Sequence, residues 1–458
     1  MYYIITNTHN KREEILSYFF GSLSRAIHYS IPERKLYNMK NQKWYRVILK
    51  LLATSGILLI IFFSDRYIKS SIPDTLTFGA GTEQHIDLNV PVLGTFDSKY
   101  IDSEVYVDLA KTINIRGQKE GNYKIKFKLF GLFDIKDIDV NIVNTKEVMP
   151  LGMQTGIYVE TSGVLVVGTG EITDYLGNVC EPARNKLKKG DYIISADGIN
   201  VYTKAELVKL INESEQDSMV LKVRRNDENI EVMLERIEDI KGIYKLGIWV
   251  RDDTQGIGTL TYMDSNANFG ALGHGISDVD TGELLEIEKG ELYKTNIFSV
   301  IKGKIGVPGE LVGKVMYGDS NYLGIIRNNT ELGIFGTLDN RAVNELKEQS
   351  ICDYMPVGYA YEIKNGEAKV ICCIDDVISE YDIDIQKVDI NDKGNKGIVF
   401  KVTDDRLIEK TGGIVQGLSG SPIIQNGKMI GAVTHVFVSD PTKGYGIFIE
   451  NMLRGSVE

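Results

Sequence analysis

Residues Thr411 to Glu450 read TGGIVQGLSGSPIIQNGKMIGAVTHVFVSDPTKGYGIFIE, and their pattern decides the fold class. Asn426-Gly427 separates two apolar runs, Pro422-Ile-Ile and Met429-Ile-Gly-Ala-Val433. Asn-Gly between such runs is the strongest short-range hairpin signal, because both residues tolerate the positive φ of a type I′ turn. Asn365-Gly366 repeats the arrangement between Tyr361-Glu-Ile and Ala368-Lys-Val-Ile-Cys-Cys-Ile374. Residues 250–458 are therefore expected to be β-rich, with enough short strands for two six-stranded barrels.

Outward from this segment, the chain has 458 residues, which suggests about three domains. Hydrophobic residues make up 43% and charged residues 25%, which excludes wholesale disorder. Lys and Arg total 52 against 63 Asp and Glu, a net charge of −11, so nothing drives the chain toward nucleic acid and no such partner is expected. With 46 glycines and 9 prolines, the composition suits a β protein with many tight turns. The cysteines, Cys180, Cys352, Cys372 and Cys373, are too few for a disulfide scaffold and form no Cys-x-x-Cys pair. His9, His28, His85, His274 and His435 are dispersed, with no His-Glu-x-x-His, and no Walker loop occurs. No cofactor and no metal site is expected.

Leu51–Phe63, LLATSGILLIIFF, is the most apolar stretch. Extended to Val47–Ser64 it gives a helix of ~27 Å, close to the hydrocarbon thickness of a bilayer. Lys40, Lys43 and Arg46 precede it, so the positive-inside rule keeps residues 1–46 in the cytoplasm and exports everything after Ser64. A cleaved signal peptide is the alternative, but FSDRYIKSS holds no Ala-x-Ala-like cleavage site. Residues 47–64 are accordingly expected to anchor the chain in a membrane. Residues 1–38 fit no domain pattern and are expected to be either a cytoplasmic extension or an upstream misread start, with Met39 the working one.

Three exported modules follow. Residues 65–148 alternate polar and apolar positions, as in Tyr123–Phe130 and Asp134–Ile142, with Gly131 at the turn; this predicts a small β spacer. In residues 149–237, Leu187-Lys-Lys-Gly-Asp-Tyr-Ile-Ile194 enters a strand, Asp197-Gly198 turns, and Thr203 can cap a helix over Lys204–Asn212. Val220–Arg225 and Asn229–Leu234 close the module. This order resembles a PDZ domain of the bacterial protease type. The resemblance implies that the loop Pro150-Leu151-Gly152-Met153-Gln154 receives a peptide by β-augmentation.

The chemistry centres on Gly417-Leu-Ser-Gly-Ser-Pro422. Glycines let the chain turn tightly enough for the Ser419 hydroxyl to project while the Gly417 and Ser419 N–H groups point one way, as an oxyanion hole requires. The motif resembles the nucleophile loop of chymotrypsin-like serine proteases. Ala271-Leu-Gly-His-Gly-Ile-Ser277 offers His274 as general base between two glycines. His435 competes, but its place on the strand that would line the S1 pocket reads as wall or structure. That map puts Gly413 on the pocket floor, with no charge to select a basic side chain. For the acid, Asp404 and Asp405 lie closer to the serine than in chymotrypsin; Asp339, Asp353, Asp375 and Asp376 are positional alternatives.

Taken together, the anchor, the PDZ-like module, ALGHGISD, KVTDDR and the 411–450 segment resemble the stage IV sporulation protein B peptidase family of endospore-forming bacteria over roughly residues 40–458. The resemblance implies a triad of His274, Asp404 and Ser419. It implies self-cleavage in the space between the forespore membranes. It further implies cleavage of a membrane-bound inhibitor similar to stage IV sporulation protein FA, which frees an intramembrane metalloprotease to process pro-sigma-K. Two other classes remain: an adaptor with an inactive protease-like domain, and a general exported quality-control protease, which would carry its PDZ domain after the peptidase instead of before it.

Overall fold

The computed structural model describes residues 39–80, 83–86, 92–96, 105–108, 113–117, 120–129 and 133–456. The expectations for residues 1–38 and for a turn at Gly131 lie outside the described residues. The chain divides into two compact units between Ile68 and Lys69.

Helix α1 (Met39–Ser71) contains the apolar segment. Within it, Trp44–Lys69 is long and apolar enough to cross a membrane, and so exceeds the expected 47–64 at both ends. Thr54 does not interrupt it: its hydroxyl donates to the Lys50 and Leu51 carbonyls at 2.9 and 3.0 Å, so no polar group is left bare. The side chains of Leu51 to Phe63 are largely exposed, as a lipid-facing surface would be.

The spacer forms a four-stranded sheet in which Gly121–Leu129 and Phe133–Val143 pair antiparallel, placing Tyr123 opposite Val140 and Ile125 opposite Ile138. The predicted alternation puts Ile125, Phe127, Ile138, Val140 and Ile142 into its core.

The remaining elements build two barrels and an insert. Strand β1 (Glu147–Thr169) is followed by the PDZ-like insert: β2 (Tyr192–Ala196), α2 (Lys204–Glu213), β3 (Ser218–Arg225) and β4 (Glu228–Glu235). The predicted cap is present, with Thr203 accepting from the Glu206 N–H in a full capping box; Leu207 and Ile211 face the core. Asp191 of the Gly-Asp pair is buried and paired through both oxygens with Arg225, at 2.6 Å each.

After the insert come β5 (Ile248–Met263), β6 (Asn268–Ala271), β7 (Ile287–Ile301), β8 (Gly309–Met316), β9 (Tyr322–Thr330) and β10 (Gly333–Leu338). Pairing runs β1-β5-β6-β10-β9-β7, and β7 pairs β1 again, so six strands close on themselves. The second barrel closes β11 (Gly366–Ile374), β12 (Val377–Val388), β13 (Ile398–Val402), β16 (Asp440–Phe448), β15 (Lys428–Phe437) and β14 (Pro422–Gln425). A short helix, α3 (Asp405–Thr411), lies between β13 and β14.

Two barrels were expected, but the first takes its opening strand from upstream of residue 250. The division into 149–237 and 250–458 cuts through it. Pro150, Leu151, Gly152 and Met153 consequently do not form a peptide-binding loop. They lie inside β1, with Pro150 opposite Tyr262 and Met153 opposite Leu260 of β5. Leu151 is buried in the barrel core. These backbone groups already serve the barrel.

Asn426 (φ 51°) and Gly427 (φ 74°) make the predicted β14–β15 hairpin. Asn365-Gly366 does not join two strands, because Ala360–Glu362 is a turn of 3₁₀ helix. The tight turn in that region is Asp375-Asp376, both at positive φ, between β11 and β12.

Gly152 has φ 68°, and a Cβ there would meet the Ile371 carbonyl of β11 at 2.7 Å. Gly152→Asp should therefore unfold the barrels rather than probe peptide capture, at a cost on the order of 3 kcal/mol from backbone strain and overpacking. Gly177 also has positive φ, but nothing lies within 4 Å of its added Cβ, so Gly177→Ala should cost far less. Urea midpoints of the two variants check this; equal midpoints would contradict the packing account.

Candidate active site at the junction of the two barrels

Ser419 sits on the loop between α3 and β14. Gly412 closes α3 in the left-handed conformation, φ 77°. Gly417 (φ 99°) and Gly420 (φ 98°) bracket the serine, and the Leu418 carbonyl accepts from the Ser421 N–H at 3.0 Å. The expected tight turn is thus present. Gly420 is obligatory for a further reason: a Cβ there would stand 2.2 Å from the Thr259 carbonyl. The Ser419 hydroxyl is half-buried and donates to the Thr434 carbonyl at 2.8 Å. Ser421 is fully buried, facing away from solvent.

His274 follows β6 after two successive left-handed residues, Leu272 (φ 69°) and Gly273 (φ 70°). The flanking glycines are there for packing as well as access. A Cβ on Gly273 would reach Ile447 and Thr434 of the second barrel at 2.9 Å, and one on Gly275 would reach the Thr330 carbonyl at 2.5 Å. Asn329 holds the loop beyond, accepting from the Ile276 N–H at 2.8 Å and donating to the Ile276 and Leu285 carbonyls at 2.9 Å. His274 Nδ1 lies 2.9 Å from the Gly275 carbonyl. A carbonyl oxygen only accepts, so Nδ1 carries the proton and Nε2 is left able to accept one.

His274, Ser419 and Gly417 line one cleft of about 460 Å³. Ile157, Ile257, Ile414, Val415 and Val436 supply its apolar walls, and among the described residues no Asp, Glu, Lys or Arg lines it. His435 also lines the cleft, its ring centroid 5.5 Å from that of His274. Its Nδ1 is buried with no hydrogen-bond partner. Burial first, then the nearby His274 and Lys396, pull the His435 pKa down to about 4, so it stays neutral at ordinary pH. Gly413 is not on the pocket floor: it packs against Pro441.

Asp404 is not brought to His274. It caps α3, accepting from the Arg406 N–H at 2.9 Å and from the Arg406 guanidinium at 3.0 and 2.7 Å. The Asp382 N–H approaches its second oxygen at 3.3 Å. The Arg406 contact outweighs burial and holds the carboxyl at about 2. The reason is local: only Thr403 and Asp404 separate the end of β13 from the start of α3, and the helix's unpaired first N–H groups claim the carboxylate. Among the alternatives, Asp339 caps the helix Asn340–Gln349, Asp375 and Asp376 form the β11–β12 turn, and Asp353 and Asp405 are exposed; none lines the cleft.

Residues 242–453 match the family model of the SpoIVB peptidase S55, a serine peptidase family, and this span contains His274, Asp404 and Ser419. Part of the chain is similar to the PDZ domain of the SdrC-like protein from Listeria innocua, at 25% identity over 20% of this chain and 94% of that one, TM-score 0.17. The counterpart from Listeria monocytogenes gives 24% identity over 19% and 86%, TM-score 0.16. The active form of the Rv3671c protease from M. tuberculosis gives 15% identity over 44% of this chain and 73% of that one, TM-score 0.25. No curated protein matches the chain significantly.

Burial lowers the His274 pKa below 6.5, partly offset by the Gly275 carbonyl. The neutral, proton-accepting form is therefore retained to lower pH than for a free imidazole. The acid limb of fluorophosphonate labelling at Ser419 should have its midpoint below pH 6.5. A midpoint at or above 6.5 would contradict desolvation as the dominant cause.

Proposed function

We propose that this chain, whose residues 242–453 match the SpoIVB peptidase S55 family model, is a membrane-anchored serine endopeptidase that cleaves itself and a membrane-bound regulatory protein. The observation that carries this reading is the meeting of His274 and Ser419, from opposite barrels, in one cleft. Chains brought together from such distant sequence positions at a barrel junction are what nucleophilic acyl transfer needs: a hydroxyl, a base beside it and a glycine-bracketed turn.

In the proposed reaction, Ser419 Oγ turns from the Thr434 carbonyl and gives its proton to His274 Nε2 as it attacks the peptide carbonyl. The developing oxyanion takes the Gly417 and Ser419 N–H groups, each worth about 3 kcal/mol in transition-state stabilisation. His274 then returns the proton to the leaving amine. The Gly275 carbonyl, rather than the Asp404 carboxylate, holds the imidazole tautomer in the conformation described here. Asp404 serves the reaction at a distance, by capping the helix that leads into the nucleophile loop.

The family resemblance supports the finer role: an exported protein between the forespore membranes that removes an inhibitor similar to stage IV sporulation protein FA and so licenses pro-sigma-K processing. Helix α1 is the proposed anchor, its uninterrupted Trp44–Lys69 segment favouring a span over a cleaved signal. The PDZ-like module is proposed to capture an extended peptide at a site other than Pro150–Met153.

Self-cleavage and fluorophosphonate labelling of the detergent-solubilised protein test this. Ser419→Ala and His274→Ala should each lose on the order of 10⁴–10⁶ in rate. Ser421→Ala should retain activity. Asp404→Ala should lose less than about tenfold in rate while lowering stability by about 1 kcal/mol, the worth of a helix cap; a loss near 10⁴ would restore Asp404 as the imidazole's partner. A wild type that neither labels nor self-cleaves would favour the adaptor class.

A further inference from the structure

Thr259 lies on β5 and is fully buried. Each of its polar atoms reaches one of the two loops that carry the reactive side chains. Its N–H donates to the Ser419 carbonyl at 3.0 Å, and its hydroxyl donates to the Gly417 carbonyl at 2.7 Å. Its carbonyl accepts from the Leu272 N–H at 3.2 Å, two residues before His274. The nucleophile loop and the base loop thus hang from one residue.

The strand geometry explains why these groups are available. Successive residues of an antiparallel strand direct their backbone groups to alternate neighbours. At Thr259 they face the side where β6 has ended: the ladder to β6 begins one residue later, with Leu260 opposite Ala271. A register shift follows between Leu260 and Tyr262 toward both β1 and β6. Such an irregularity re-aims the strand locally. The free N–H and carbonyl meet the two loops instead of a strand.

We propose that Thr259 is a positioning residue for the peptidase reaction, fixing the peptide planes on either side of Leu418–Ser419 and their register to the His274 loop. The inference rests on the peptidase reading above. Held at Gly417 and Ser419, the loop keeps both proposed oxyanion donors on one side and Ser419 opposite the base. Without the hydroxyl, the Gly417 carbonyl loses its partner, and that plane is held only through the Leu418 N–H, which donates to the Val415 carbonyl at the longer distance of 3.2 Å. A misplacement of about 1 Å at a reacting group costs about a hundredfold in rate.

The test uses the full chain in detergent. Thr259→Val keeps the shape and removes the hydroxyl; Thr259→Ser keeps the hydroxyl. Thr259→Val should lower kcat and the rate of fluorophosphonate labelling by about 10- to 100-fold, with KM on a peptide substrate within about twofold. Thr259→Ser should stay within about threefold of wild type. A purely structural role would instead lower the melting temperature and leave the rate per folded molecule unchanged, which would overturn the proposal; so would Thr259→Ser being as slow as Thr259→Val. If Thr259→Val does not fold, Thr259→Cys, which presents only a weak thiol donor, is read by the same criteria. Wild type that is labelled at Ser419 while Thr259→Val labels equally fast refutes this inference alone; wild type that is not labelled refutes the peptidase reading and this inference with it.

Discussion

Continuous pairing of β1 with β5 is the constraint on which the rest of the fold depends. The two strands run antiparallel from Thr169 opposite Ile248, inside the PDZ-like sheet, to Met149 opposite Met263, inside the first barrel. One hydrogen-bonded ribbon therefore belongs to two modules. The insert cannot be lifted out as a bead on a linker, because its first and last strands are also two of the six barrel strands. Close approach along the ribbon is bought with glycine: a Cβ on Gly258 would stand 2.1 Å from the Leu272 side chain, just before the His274 loop.

The ribbon also borders the cleft that His274 and Ser419 share. Thr254–Ile257 of β5 form part of the cleft, and Thr259 touches both reactive loops. Backbone carbonyls partner both side chains among the described residues, Thr434 for Ser419 and Gly275 for His274. With no carboxylate, lysine or arginine lining the cleft among the described residues, burial dominates the electrostatics and lowers the pKa of both imidazoles. A neutral base costs less to desolvate than an ion pair, and it is the form a serine nucleophile requires.

Local signals were legible in the sequence where one short segment determines its own structure. Asn426-Gly427 adopts the positive φ values that its composition favours, Thr203 and Glu206 complete a capping box, and the alternation over Tyr123–Leu129 and Asp134–Ile142 forms paired strands. The Gly-x-Ser-Gly turn and the histidine between glycines both line one cleft. What was not legible depended on distant partners. Residues 149–161 read as part of the PDZ-like module because their barrel partners lie about a hundred positions downstream. Asp404 read as a triad acid from resemblance, but a carboxylate just before a helix is claimed by that helix and by Arg406. Thr259, in the run Gly-Ile-Gly-Thr-Leu-Thr, carries no signal; its role comes from the end of β6 beside it.

We propose that His274 and Ser419 act as a pair across the barrel junction, with the Gly275 carbonyl holding the imidazole. A crystal structure of the covalent fluorophosphonate adduct is the decisive measurement. Such a pair predicts phosphorus bonded to Ser419 Oγ and the phosphoryl oxygen within hydrogen-bond reach of the Gly417 and Ser419 N–H groups. It also predicts His274 Nε2 on the leaving-group side, with Nδ1 still against the Gly275 carbonyl. Phosphorus on another residue, or an Asp carboxylate drawn onto His274 Nδ1, would contradict it.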